Sequence, residues 1–119
     1  MTLAYGSVEQ STAAYFGALL GGFSDALRKQ GIASRMVWVI RLRLRHEEYA
    51  FPVYVPPMLE VRGADRRVRA TVTIVRGVSE PAYSVRPADG ERYYLFPVSE
   101  GASALAFVVG RAPDWQLIQ

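Results

Sequence analysis

The sequence predicts an α+β domain: an N-terminal amphipathic helix packed on a curved, mainly antiparallel sheet of about five to seven strands. Three observations carry that prediction. Apolar residues recur at helical spacing over about 8–30. From residue 36 onward apolar and polar residues alternate instead, which is the period of a strand. Short clusters rich in Pro, Gly and Asp then interrupt the chain at hairpin intervals. With 119 residues and no linker or repeat, residues 1–119 read as a single domain, large enough to bury a core without staples.

The helix opens on Ser7-Val-Glu-Gln10, which fits a capping box, with Ser11 and Thr12 as rival caps. Phe16, Leu19, Leu20, Phe23, Ala26 and Leu27 make one apolar stripe, and Gln30-Gly31 provides the stop. Gly17, Gly21 and Gly22 each weaken the helix by about 1 kcal/mol relative to alanine. Gly17 and Gly21, four apart, open one side to close approach by a sheet or another helix. Asp25 beside Arg28 and Lys29 reads as an exposed ion pair.

The first strand, 36–46, places Trp38, Ile40, Leu42 and Leu44 on one face and Val39, Arg41, Arg43 and Arg45 on the other. Glu47-Glu48 turns the chain, and 49–55 returns with Tyr49, Phe51, Val53 and Val55 on one face. Pro52 cannot donate to a ladder, so this strand lies at an edge or carries a bulge. Pro56-Pro57 is expected to break pairing before a short strand, 58–62, and Gly63-Ala-Asp65 makes a tight turn. In 67–76, Val68, Ala70, Val72 and Ile74 point in, while Arg67, Arg69, Thr71, Thr73 and Val75 point out. Strands 78–86 and 91–98 flank the hairpin signal Pro87-Ala-Asp-Gly90. The run 103–109 reads as a last apolar strand closed by Gly110 and Pro113, followed by an apolar tail, 114–119. The layout is similar to the helix-plus-wrapped-sheet folds of the cystatin-like and NTF2-like groups. That likeness transfers no function.

Charge is unevenly spread. Residues 35–76 hold nine arginines against Glu47, Glu48, Glu60 and Asp65, so the net +3 of the chain originates in the central strands. Thirteen of the fourteen basic residues are arginine, a usage that a GC-rich genome also produces by default. The absence of cysteine excludes disulfides, thiolate catalysis and cysteine-ligated metals. The chain shows no leader pattern and no apolar run of bilayer length, so a soluble, cytoplasmic protein that makes no membrane contact is expected.

The catalytic inventory is thin. His46 is the single histidine, and with Glu47-Glu48 it could hold a metal or make an acid/base pair. Neighbours on a strand point to opposite faces, however, and the plainer reading is a solvated turn. Asp65, Asp89 and Asp114 sit in turn contexts, where aspartate serves the backbone. No phosphate loop, dinucleotide fingerprint or nucleophile elbow occurs. No catalytic residue, metal ligand or cofactor is assigned, and the expectation is a non-enzymatic protein.

The leading expectation is a soluble interaction or assembly module, homo-oligomeric or an accessory subunit, whose partner is itself or another protein. Its aromatic content and apolar tail point to an interface of Trp115, Leu117, Ile118, Tyr93 and Tyr94. The alternative is a nucleic-acid-binding sheet. In it Arg41, Arg43, Arg45, Arg67 and Arg69 form one basic platform, aided by Thr71 and Thr73, with Tyr49, Tyr54, Tyr83, Tyr93 or Tyr94 stacking on bases. A third reading places a small ligand between helix and sheet, lined by Phe16, Phe23, Trp38 and Phe107.

Overall fold

The apolar stripe of the N-terminal segment forms helix α1 (Gln10–Lys29), buried along Ala13, Leu20, Phe23 and Leu27. The computed structural model describes residues 10–45, 49–90 and 92–117, with side chains for 11–38, 56–90 and 92–111. Ser7, the expected cap, lies outside the described residues. The stop is the expected one. Gly31 takes a left-handed φ of 76°, its N–H donates to the Arg28 carbonyl and that of Ile32 to Leu27. This is a Schellman motif, and Ile32 and Leu27, its apolar pair, are both buried.

Five strands follow among the described residues: β1 (Ala33–Arg45), β2 (Tyr49–Arg62), β3 (Val68–Val75), β4 (Ala82–Pro87) and β5 (Tyr94–Pro97). They form one open antiparallel sheet in sequence order. The register aligns Leu59 with Val72 and Val85, and Ile74 with Tyr83. All five are buried on the face that receives the helix. The inward set expected of the third strand is correct at Ala70, Val72 and Ile74.

The expected strands 49–55 and 58–62 are one strand, β2. Pro56-Pro57 does not end it. Instead the two prolines stand opposite the single residue Trp38, where the β1–β2 register shifts by one, the geometry of a β-bulge. Of the two alternatives expected for Pro52, the edge position is the one found: 49–55 pairs only with β1, and the bulge lies beyond it at Pro56-Pro57.

The expected strand 103–109 is a helix, α2 (Gly101–Leu117), entered through a 3-10 turn at Val98–Glu100, and 114–117 is its last turn rather than a free tail. The run alternates as a strand would, but Ala104 and Val108 also lie four apart. Both are fully buried in the core cluster that also holds Tyr83 and Val85, while Leu105, Phe107 and Val109 pack partly buried against it. The reason is tertiary. α1 covers β1 to β3 and reaches β4 where Phe23 packs on Tyr83, and α2 covers the rest of the inner face of β4 and β5. Ser99, just after the helical segment begins, donates its N–H to the Glu80 carboxylate at 2.8 Å, a cap supplied from the β3–β4 turn.

Both helices therefore lie on one face. The other face carries the rows Arg35–Glu60–Thr71–Arg86 and Val37–Met58–Thr73–Ser84–Leu95, with no described element over it. Tyr94 and Phe96 meet Phe107 of α2 at ring separations of 4.7 and 5.6 Å. Leu95, on the opposite side, is 55% exposed.

Candidate functional site

Two prolines decide where the sheet narrows. Proline has no N–H to donate, and the β2–β3 ladder begins only at Met58, paired with Thr73. Past the bulge, 39–45 of β1 and 49–55 of β2 pair only with each other. The result is a two-stranded arm of seven residues per strand, roughly 23 Å long.

Directly opposed residues share a face, so the register reads out both sides of the arm. One face holds Ile40–Tyr54, Leu42–Pro52 and Leu44–Ala50, all apolar, and continues the helix-bearing side of the sheet. The other holds Val39–Val55, Arg41–Val53, Arg43–Phe51 and Arg45–Tyr49. The predicted arginine row thus faces the same way as the predicted Tyr49–Val55 apolar row. One side of the arm is uniformly apolar, and the other sets a column of arginines beside a column of aromatic and aliphatic residues.

α1 runs antiparallel to β1. The Ser24 and Ser34 hydroxyls share a hydrogen bond at 2.6 Å, and the indole of Trp38 lies over Gly17. A side-chain Cβ at Gly17 would overlap the ring, whereas Gly21 faces open space, so close approach uses the first glycine and not the second. From Gly17 to Gln10 the helix rises roughly 10 Å, about three strand residues. The first described residue of α1 is therefore level with about Arg41. Leu42, Leu44, Ala50 and Pro52 lie further out along the arm.

The five arginines expected as one platform are in two groups. β2 separates the strands that carry them, and Arg69 is level with Ser34, seven or more residues along β1 from Arg41. That is roughly 23 Å or more. Arg67 and Arg69 instead organise the β2–β3 turn around Asp65. The Arg69 guanidinium donates to Asp65 Oδ2 at 2.7 Å, and the Arg67 backbone N–H donates to Oδ1 at 3.1 Å. That backbone hydrogen bond is the largest of the influences that hold the Asp65 carboxyl below its ordinary value; the charges of Arg69 and Arg67 add to it, and desolvation, larger than either charge alone, opposes it. Arg69 lies mostly buried with its Nε unpartnered and its Cγ packed toward Gly63. Its part is structural.

The expected aromatic sites also separate. Tyr83 is buried against Phe23, and burial pushes its phenol up. It is not a stacking platform. Tyr93 is 63% and Tyr94 36% exposed beside β5, at the opposite edge of the sheet from the arm. Trp115 and Leu117 belong to the last turns of α2. Ile118 and the His46-Glu47-Glu48 cluster lie outside the described residues. The four residues expected to line a ligand space belong to separate contacts: Phe23 with Tyr83, Phe107 with Tyr94 and Phe96, Phe16 at the core margin beside Tyr15, and Trp38 on Gly17.

Among the described residues no group of three or more His, Asp or Glu is placed to hold a metal ion, and no helix is long and apolar enough to cross a membrane. Sequence reasoning missed the Glu80 cap and a cleft lined by Arg92 and Arg111, because the partners in each lie about twenty residues apart and no local pattern marks them. No protein-family model matches the chain, and neither a curated protein nor a solved structure does.

Proposed function

We propose that this protein is a self-assembling module whose arms pack apolar face on apolar face across a two-fold axis. The observation that carries the reading is the run Ile40, Leu42 and Leu44 opposite Tyr54, Pro52 and Ala50 on a two-stranded extension. A two-stranded hairpin is marginal in water without an apolar face against something else. A second copy supplies the same face, which makes the contact isologous and closed. It also leaves Arg41, Arg43 and Arg45 on the outside of the paired arms, where they stay hydrated and keep the assembly from stacking further.

The test is solution mass by light scattering on a size-exclusion column, comparing the natural chain with Leu42→Glu/Leu44→Glu. Fully burying one leucine contributes about 1.5–3 kcal/mol, so removing even one such contribution per copy weakens a dimer by roughly 100-fold or more. The expected result is a multiple of 13.2 kDa that persists at high salt and falls to one copy in the double variant. A natural chain that stays monomeric at high concentration overturns the reading and assigns the apolar face to a segment of the same chain or to another protein.

A second reading rests on the other face. Arg41, Arg43 and Arg45 form a column beside Phe51 and Tyr49. Guanidinium groups beside aromatic rings suit a nucleic-acid strand, and a two-stranded ribbon fits the major groove of a duplex. Fluorescence anisotropy on labelled single-stranded and duplex DNA tests it. Affinity should fall steeply with salt and vanish on charge reversal at the three arginines; unchanged affinity in that variant ends it.

A further inference from the structure

At the edge of the sheet away from the arm, the β4–β5 turn and α2 enclose an open cleft of about 360 Å³, lined by Pro87, Asp89, Gly90, Arg92, Tyr94 and Arg111. That is the lower range of small-molecule sites. We propose that this cleft binds a small organic oxyanion, a phosphate or carboxylate carried on a hydroxylated body.

The argument starts from Arg111. Its Cζ lies 4.6 Å from the centre of the Phe107 ring and 5.7 Å from that of Tyr94, and those two rings pack 4.7 Å apart. At these distances the guanidinium charge is held against the ring faces by cation–π attraction. Its five N–H donors lie in one plane as a fork that matches a phosphate or carboxylate, and a cation–π contact uses none of them. The rings thus fix the group in place without neutralising it. Arg92, from the turn, adds a second positive charge to the same cleft.

The lining sets two positive charges against the single carboxylate of Asp89, an excess that favours an anion. The ion pairs within 4 Å among the described residues are Arg28–Asp25, Arg62–Glu60, Arg67–Asp65 and Arg69–Asp65, and neither Arg92 nor Arg111 takes part in one. Asp89 is the acid of the lining and is likewise in none of them. A carboxylate only accepts hydrogen bonds, so its partner on a bound anion is a hydroxyl or an amine. This sets the class as an oxyanion with donor groups on its body, rather than a bare inorganic ion. The inference is independent of the assembly reading, because arm and cleft lie at opposite edges of the sheet.

Titration of the full chain followed by backbone-amide NMR tests it, using three probes: inorganic phosphate, a sugar phosphate and citrate. The expected result is saturable shifts at Gly90, Tyr94 and Arg111 with the sugar phosphate or citrate, tighter than with inorganic phosphate. Saturation by the sugar phosphate alone assigns a phosphate, and by citrate alone a carboxylate. Arg111→Gln should weaken binding by about ten-fold or more. Arg92→Gln, on the exposed turn, should weaken it without touching the helix, while Arg35→Gln on the open sheet face should change nothing. Shifts that never saturate, that survive both cleft variants, or that fall equally in the Arg35 variant overturn the proposal and reduce the effect to general attraction by a basic surface.

Discussion

Gly17→Ala sets two effects of known size against each other. In an exposed stretch of helix, alanine is favoured over glycine by about 1 kcal/mol. At Gly17, however, the new methyl would fall inside the indole of Trp38, with Cζ2 at 2.5 Å and Cη2 closer still, so the ring must leave. Trp38 is 53% exposed, so the ring and its residue keep roughly 120 Å² of a possible ~250 Å² out of water. At about 25 cal/mol per Å², losing that cover costs about 3 kcal/mol. The balance is a net destabilisation of about 2 kcal/mol for Gly17→Ala. Gly21→Ala, where nothing lies within 4 Å, should stabilise by about 1 kcal/mol. Urea unfolding followed by far-ultraviolet circular dichroism measures both, and needs no tryptophan reporter. A double-mutant cycle isolates the cause: in a Trp38→Ala background the clash is gone, and Gly17→Ala should turn stabilising. If Gly17→Ala is as favourable as Gly21→Ala with Trp38 in place, the packing of the indole on the helix is not what requires glycine, and the reasoning fails.

Two further predictions concern turns. Arg66 holds a left-handed φ of 67° at the end of the β2–β3 loop, a conformation that costs a non-glycine residue roughly 1–2 kcal/mol. Glycine pays roughly 0.5–1 kcal/mol in added chain entropy, so Arg66→Gly should raise stability by about 0.5–1 kcal/mol in chemical denaturation. Its carbonyl still accepts from Arg62, and a loss of stability would mean that the side chain carries weight the contacts do not reveal. The pH dependence has a definite sign. The hydrogen bonds from Ser99 hold Glu80 below its ordinary value of 4.5, and Asp65 lies below 3.8. A carboxylate with a lowered folded pKa contributes stability that is present above its unfolded pKa and is lost as pH falls through the folded one. Melting temperature should therefore decline below about pH 4.5, and Glu80→Gln should flatten that decline while lowering the plateau above it. An unchanged acid limb in Glu80→Gln would show that the carboxylate does not cap the C-terminal helical segment.

Much of the fold could be read from residue pattern because local physics sets it. The spacing of Leu20, Phe23 and Leu27 makes a helix with one buried stripe, and Gly31 ends it because the next step of chain needs a left-handed residue. The alternation through Val72 and Ile74 decides which face of β3 is buried, whatever its neighbours. The arginine and apolar alternation of β1 was equally plain, but its meaning was not. Only the pairing of Arg43 with Phe51 and Leu42 with Pro52 shows one wholly apolar face on the arm and one mixed face.

The residues 103–109 mark the boundary. Their apolar run satisfies both a strand and a helix, since Ala104 and Val108 lie four apart while Leu105, Phe107 and Val109 alternate. What selects the helix is the part of the sheet beyond Tyr83 that α1 does not cover, together with a carboxylate at Glu80 that reaches the start of the segment from nineteen residues away. The same holds for the arginines. Arg69 and Arg41 look alike in sequence, yet one is tied to Asp65 and mostly buried while the other belongs to the arm roughly 23 Å away. Sequence alone determined the N-terminal helix, most of the strands and the face each presents, because those follow from periods of 3.6 and 2 within a few neighbouring residues. The C-terminal helix, the reach of the arm and the separation of the charges were decided by tertiary structure, because each depends on which surfaces remain bare once distant segments have paired.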